Sequence, residues 1–429
     1  MPTPLPRCKV SPVMRSLCFV VALWSGLQSS LVLSAANWPQ FRGPTGQGVA
    51  ADTPVPTTWS ERKNIAWKTP IEGRGHSSPV IWGDQVWVST ASVDGKALGA
   101  IGLDRKTGTI LHKVTVFEPT KIDEPHADNT FASPTPVIAE GRLYLDFGTY
   151  GAACLDTSSG SIVWKNEHLQ IEHQGGPGSS PVLFGDTFIV HRDGADHQYV
   201  AALDVQTGRI RWKRDRSAPF RENPITHRAF ASPLLYEYEG RTLLISPAAD
   251  QCHAYDAATG DELWHIRYTG FSNVPCPVAD GNHAYVCTGF FSPSLVAVRL
   301  GGQGDVTKSH VEWEYKAQIP DVASPILADR RIYFVSTKGV LSCVDAKTGE
   351  RVFILRLGGN FSASPLYAGG HLYFCNREGV TKVVQPGEEA KVVSTNKLDS
   401  GIYASPIAVD GALYIRTETT LYRIEEPPE

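Results

Sequence analysis

The chain of 429 residues lacks the features that many enzyme classes require. It has no Cys-x-x-Cys and no two adjacent cysteines, so zinc-ribbon and c-type haem sites have no ligands. It has no Gly-x-Ser-x-Gly elbow, and Gly178-Ser179-Ser180-Pro181 is simply the approach to a recurring proline. Gly301-Gly302-Gln303-Gly304 lacks the lysine and the strand-to-helix setting of a phosphate loop. No long basic run occurs and the formal net charge is −4, so the concentrated cationic footprint of a nucleic-acid binder is missing. His76, His126, His173 and His227 stand at unequal distances from the prolines that follow them. No His-x-His or His-Glu-x-x-His occurs either, and no metal site is expected. What remains is 42% hydrophobic residues against 20% charged, enough for a large core, with Gly and Pro spread along the chain as tight turns require.

The first 36 residues have the pattern of a secretory signal: Arg7, Lys9 and Arg15, an apolar stretch from Leu17 to Leu33, then Ser34-Ala35-Ala36 before a cleavage expected at Asn37. Met14 is an alternative start for the same signal. No cysteine follows the apolar stretch, so no lipid acylation site is expected, and no later segment is long and apolar enough to span a membrane. The expected location is periplasmic or secreted.

The dominant signal is a repeat. A proline followed by an apolar pair recurs at Pro79, Pro136, Pro181, Pro233, Pro277, Pro325, Pro365 and Pro406, a mean period of about 47 residues and within the range of propeller blades. Gly- or Asp-containing turns such as Gly83-Asp84, Gly185-Asp186 and Asp410-Gly411 follow, joining two short apolar runs into a hairpin. Unbroken runs such as Ile332-Tyr333-Phe334-Val335 suit strands buried on both faces, as blade packing demands. The second half of the repeat carries Asp, Thr or Ser, Gly and an aromatic residue at fixed spacing. Three copies are complete: Asp156, Gly160 and Trp164; Asp204, Gly208 and Trp212; Asp256, Gly260 and Trp264. Two vary at the end: Asp104 and Gly108 with His112, and Asp345 and Gly349 with Phe353. The Asp is expected to cap the turn, the Gly to take positive φ, and the aromatic ring to pack between blades.

This Ala-x-Asp-x-x-Thr-Gly-x-x-x-Trp spacing resembles the tryptophan-docking repeat of quinoprotein dehydrogenases and their non-enzymatic relatives, the pyrroloquinoline quinone (PQQ)-like repeat propellers. The match covers residues 64–424 and weakens in the fifth and seventh repeats, where Trp313 comes late and Val383-Val384-Gln385-Pro386-Gly387 is degenerate. The resemblance implies an all-β, eight-bladed β-propeller. The eighth repeat ends after three strands, at Leu421-Tyr422-Arg423-Ile424, and Ile65-Ala66-Trp67-Lys68 resembles the outer strands Ile162-Val163-Trp164-Lys165 and Ile210-Arg211-Trp212-Lys213. The N-terminal strand, residues 64–68, is therefore expected to close blade 8, leaving 37–63 as a strap on the outer rim and 425–429 as a tail. Cys276 and Cys287 flank the fifth hairpin at positions that permit a cross-strand disulfide, while Cys154 and Cys343, at the small-residue position of the repeat, are expected as buried thiols.

Enzymes of the resembled family hold PQQ with calcium against a ring of two adjacent cysteines, and such a pair is missing here. No cofactor is expected on the residues, and PQQ with calcium stands as the alternative that the resemblance offers. The preferred reading is a non-enzymatic scaffold, similar to the BamB-type accessory lipoproteins of outer-membrane assembly, which binds a protein or peptide in the cell envelope as a monomer. The loops before each proline are expected to meet on one face. Within it His126, Asp128, His173, Arg221, His227 and Arg228 are the candidate partner-binding residues of blades 2 to 4. A polysaccharide stacking on Phe290-Phe291 or Tyr150 is the further alternative.

Overall fold

A computed structural model describes residues 36–427, with Met1 and Thr3. The expected signal segment lies outside the described residues, and among those described no helix is long and apolar enough to cross a membrane.

Eight sheets, each with four antiparallel strands and two of them with a fifth strand added in parallel, form an eight-bladed propeller. Blade 1 runs Val80–Trp82, Gln85–Ala91, Leu98–Asp104 and Ile110–Phe117, and the following blades repeat that order. The first strands of neighbouring blades touch one another, so they line the axis. Each begins just after a repeat proline, which has no N–H to offer a ladder and so suits a strand start. Blade 8 takes Ile407–Val409, Ala412–Arg416 and Thr420–Ile424 from the C-terminal end. Its outer strand is Ile65–Pro70, paired antiparallel with Thr420–Ile424, so the N-terminal strand closes the ring and removes the free edge.

The second half of the repeat works as a unit. Asp204 Oδ1 accepts from the N–H groups of Gln206 and Thr207 (3.0 and 2.8 Å), and Asp104, Asp156, Asp256 and Asp345 hold their turns in the same way. The turn glycine takes φ +69° at Gly208 and sits beneath the docking ring of the preceding blade. A Cβ there would lie 2.5 Å from Trp164. Trp67 covers Gly108, Trp212 covers Gly260 and Trp313 covers Gly349 by the same rule. Several of these rings also donate across the seam: Trp67 Nε1 to Arg105 O (3.0 Å), Trp164 Nε1 to Val205 O (2.8 Å) and Trp313 Nε1 to Ala346 O (3.2 Å). Trp264 is fully buried. Trp313 comes late because Gly304–Asp305 and the helical turn Thr307–His310 are inserted before its strand, and it still pairs with Ala297 as Trp212 pairs with Ala202.

Two expectations need correction. The strap does not sit only on the outer rim. Trp38 pairs with Ile81, Pro39 O accepts from Ile138 N, and Gln47 Oε1 accepts from Ala279 N. Arg42 donates to Pro325 O (2.6 Å), and Val49–Ala50 pairs in parallel with Leu366–Ala368. These partners belong to the first strands of blades 1, 2, 5 and 7 and to the proline that opens blade 6, so the strap crosses the axis and plugs one mouth. Beyond it, the Trp59 ring stacks on Tyr373 (6.4 Å) and the Trp59 backbone N–H donates to Asn396 Oδ1 (2.9 Å). The docking position of blade 7 holds Ser394, and Trp59 supplies the missing ring. The second correction concerns Cys276 and Cys287, which are both free. Cys276 precedes its strand, Val278–Asp280, and its thiol turns to Pro233 O (3.8 Å) in the neighbouring blade instead of across the hairpin. Cys154 and Cys343 are buried and free.

Candidate functional site

The other mouth of the axis opens into a cavity of about 440 Å³. Its wall includes the residue before seven of the eight repeat prolines. Ser78, Thr135, Ser180, Ser232, Ser324, Ser364 and Ser405 occupy seven of the eight positions, and Cys276 the eighth. At seven of the eight positions the backbone N–H donates to the side-chain oxygen of the next blade. Ser78 N reaches Thr135 Oγ1 (2.9 Å), Thr135 N reaches Ser180 Oγ (3.0 Å) and Ser180 N reaches Ser232 Oγ (2.8 Å). Cys276 N reaches Ser324 Oγ (3.0 Å), Ser324 N reaches Ser364 Oγ (2.9 Å) and Ser364 N reaches Ser405 Oγ (3.0 Å). Ser405 N closes the circle on Ser78 Oγ (3.1 Å). A hydroxyl is needed because a first strand at the axis has an N–H that its own sheet leaves unpaired, and a buried orphan donor costs about 1–3 kcal/mol. The link from Ser232 to Cys276 is the one not made among the described residues. This belt was written in the sequence as Ser or Thr before nearly every repeat proline, a signal the repeat reading passed over. Phe41 of the strap lines the same cavity and forms its floor, so the cavity is a funnel closed at one end.

The mouth holds the charges. Arg377 donates to Asp128 (2.8 Å) and to Ser362 Oγ (2.7 Å), and its guanidinium lies over Tyr403, 5.4 Å from the ring centre. Arg228 donates to Ser272 Oγ (3.0 Å) and Gln174 O (2.9 Å), but forms no ion pair among the described residues. Burial pulls its guanidinium below the usual range. Asp321 accepts from Thr337 Oγ1 (2.9 Å) and likewise has no cationic partner among the described residues. His76 lies flat on Tyr403 (4.3 Å between centres) with Nε2 unpartnered. Burial first, and then Arg416, Arg74 and Arg377, push its imidazole down to about 3, which keeps it neutral. Phe290 stands at the rim, half exposed, beside the more exposed Phe291.

Of the six candidate residues, His126, Asp128 and Arg228 line this cavity. His173, Arg221 and His227 do not. His173 packs its buried Nε2 end against Gly148, and burial pushes it down to about 3. Arg221 is paired with Asp250 and lies near the Phe271 ring, and His227 Nε2 is within 2.6 Å of Arg221 O. Arg221 and His227 brace their own loop beside the funnel, and His173 is spent on packing against Gly148. Arg377 was missed: its partner Asp128 lies 249 residues away, and no local spacing reports such a pairing. Tyr150 is half-buried, its ring edge-on to Phe131 and its hydroxyl in hydrogen bonds with Asp123, so it packs inside the fold.

Of the eight cysteines, the six among the described residues are buried, and burial raises each to about 12, so none of these six is a nucleophile at neutral pH. A quinone with calcium would meet one carboxylate, Asp321, that no cation engages among the described residues. The cavity carboxylates are Asp128, engaged by Arg377, and Asp321. Among the described residues, the one group of three His, Cys, Asp or Glu side chains placed for a metal lies elsewhere, in blade 4.

The fold and this axial funnel define a PQQ-like repeat β-propeller. The profile of the family described as "Outer membrane protein assembly factor BamB" matches residues 126–355 and 230–426, and the chain belongs to that family. A comparison with curated protein sequences finds no match. Among solved structures, BamB from Moraxella catarrhalis is similar at a TM-score of 0.58 and 15% identity, over 84% of this chain and 99% of that one. A europium-containing methanol dehydrogenase is similar at 0.59 and 15%, over 89% of each chain. The quinohemoprotein alcohol dehydrogenase from Comamonas testosteroni is similar at 0.64 and 12%, over 92% of this chain and 81% of that one. At these identities the structural likeness shows the shared fold.

Proposed function

We propose that the chain is a non-enzymatic binding propeller of the cell envelope whose axial funnel takes a protein or peptide segment. One observation carries this reading. The funnel is closed at its floor, lined with hydroxyls, and bears at its mouth an unpaired cation, Arg228, and an unpaired anion, Asp321. Such a site matches a chain carrying both charges and backbone amides. The exposed Phe290 and Phe291 extend it with apolar surface at the rim. Membership of the BamB family supports a periplasmic or secreted location and protein partners there.

The test places a photo-crosslinking residue at position 290 and compares capture from envelope extract by wild type, by Arg228→Ala with Asp321→Asn, and by Arg221→Ala with His227→Ala. The funnel variant is expected to lose crosslinked protein and the control variant to keep it. Equal capture by a folded funnel variant overturns the reading, as does crosslinking to glycan in place of protein. Dye reduction with an alcohol, dependent on added quinone and calcium, overturns the non-enzymatic assignment.

A further inference from the structure

Blade 4 departs from the repeat at three positions at once. His253 lies on its third strand, Gln251–Asp256, directly opposite His265 on the outer strand, Glu262–Arg267. In a regular strand, residues 262 and 265 would point to opposite faces, because their separation is odd. The bulge between Glu262 and Trp264 shifts the register by one, so Glu262 pairs with Tyr255 and faces the same side as both histidines. Every complete repeat has that bulge, but not those residues. The corresponding trios are Ala153, Ile162 and Lys165 in blade 2, and Ala201, Ile210 and Lys213 in blade 3. They are Ile101, Ile110 and Lys113 in blade 1, and Ser342, Arg351 and Ile354 in blade 6.

The three side chains converge. One ligand atom from each lies within 4.8 Å of the others. Glu262 Oε1 is 2.7 Å from His265 Nδ1, and Glu262 Oε2 is 3.2 Å from His253 Nδ1. His253 is fully buried, and its Nε2 is 2.7 Å from Gln251 Oε1, which can only accept, so Nε2 carries the ring proton. Nδ1 then presents a lone pair to a carboxylate oxygen, and it is an unpartnered buried nitrogen. Two electron-pair donors face each other with nothing to share. A supporting acceptor on the far ring nitrogen is the arrangement that orients a metal-binding imidazole. The side chains of Glu262 and His265 retain 22% and 15% exposure, so the trio is open to solvent on one side and an ion has a way in. The other charges nearby are Arg216, already held by Asp193 at 2.7 Å, and Asp305, beside His265 on the added strand Gly304–Asp305.

We propose that His253, Glu262 and His265 form a binding site for a divalent transition-metal ion of the zinc class, with water completing its shell on the open side. Two imidazoles and one carboxylate suit such an ion better than calcium or magnesium, which take oxygen ligands. The ion ties the bulged outer strand of blade 4 to its third strand, and His265 binds through Nδ1 with its proton moved to Nε2.

The experiment strips the purified chain with a chelator and titrates it with zinc chloride against a chromophoric competitor, with cobalt chloride as a spectroscopic probe. One equivalent is expected to bind, with a visible cobalt spectrum of mixed nitrogen and oxygen ligation. Glu262→Ile with His265→Lys restores the residues of blades 2 and 3 and is expected to melt normally in chelator. It should weaken binding by more than about 10–100-fold, the loss that even a supporting partner causes. Glu262→Gln, nearly isosteric, is the second variant should the first not fold. Failure of the wild type to bind one equivalent overturns the proposal, as does equal affinity in a folded variant.

Discussion

Gly208→Ala compared with Gly185→Ala isolates the docking of one blade on the next. Both glycines lie in blade 3 and both have positive φ, +69° and +54°. An alanine in this region costs about 1–2 kcal/mol at either site. At Gly185 a new Cβ meets nothing within 4 Å, so the conformational cost is the whole effect. At Gly208 the Cβ would stand 2.5 Å from Trp164 Cε3 and 2.7 Å from Cδ2, inside a ring held from the other side by Tyr144 and Phe188. Overpacking of this kind adds about 1–3 kcal/mol. If the ring tilts away, its bond to Val205 O weakens and about 1 kcal/mol more is lost. Gly208→Ala is therefore expected to destabilise by about 1–4 kcal/mol more than Gly185→Ala, measured as the shift in urea midpoint by far-ultraviolet circular dichroism. In a Trp164→Ala background the two glycine substitutions should become equal, since the clash has gone. Equal losses in the native background, or a Gly208 penalty that survives loss of the tryptophan, would refute the docking account.

Deleting residues 64–68 should leave Thr420–Ile424 as an open edge and drive aggregation; a monomer with unchanged melting temperature would show that the strand is dispensable. His76 titrates at about 3 in the fold against about 6.5 unfolded, so the unfolded chain binds more protons between these values and stability falls as pH drops through that window. At pH 5 the loss is about 2 kcal/mol, and His76→Gln should flatten the corresponding part of a urea-midpoint profile; parallel profiles would exclude His76 as the cause. Cys276→Ser supplies the hydroxyl missing from the belt, so stability should change by less than about 1 kcal/mol while hydrogen exchange at the Ser232 amide slows, and unchanged exchange would show that the eighth link is not restored.

Features that recur were legible in the sequence. The prolines, the Asp-to-Gly turns and the docking tryptophans announce the blades because each obeys a local rule that the chain must satisfy again at every turn. Closure by 64–68 was legible because Ile65-Ala66-Trp67-Lys68 copies other outer strands. Features that occur once were not. Arg42 reaches Pro325, and Arg377 reaches Asp128, across the axis, where spacing along the chain carries no information. The trio in blade 4 was hidden by its bulge, since alternation along a strand puts Glu262 and His265 on opposite faces and only the extra residue brings them together. The funnel face was overdrawn for the opposite reason. Loop position named His173, Arg221 and His227 alongside Arg228, yet loops of unequal length deliver only some residues to the axis.

The one-off features are not scattered. The belt of hydroxyls breaks between blades 4 and 5, at Cys276, and this seam has other fastenings. The Cys276 thiol reaches back to Pro233 O. Gly46 of the strap sits so close to Leu234 of blade 4 that a Cβ would be 3.1 Å from its side chain, and its neighbour Gln47 accepts from Ala279 N of blade 5. At the rim, Gly304–Asp305 leaves the fifth repeat to pair in parallel with the outer strand of blade 4, so the insertion that delays Trp313 also bridges the two blades. Blade 7 follows the same logic: its own docking position is Ser394, and the strap returns with Trp59 to stand on Tyr373. A closed ring is as strong as its weakest seam, because opening any one exposes two blade faces at once. The irregular segments of this chain lie where the repeat falls short, and the strap in particular is part of the ring that it crosses.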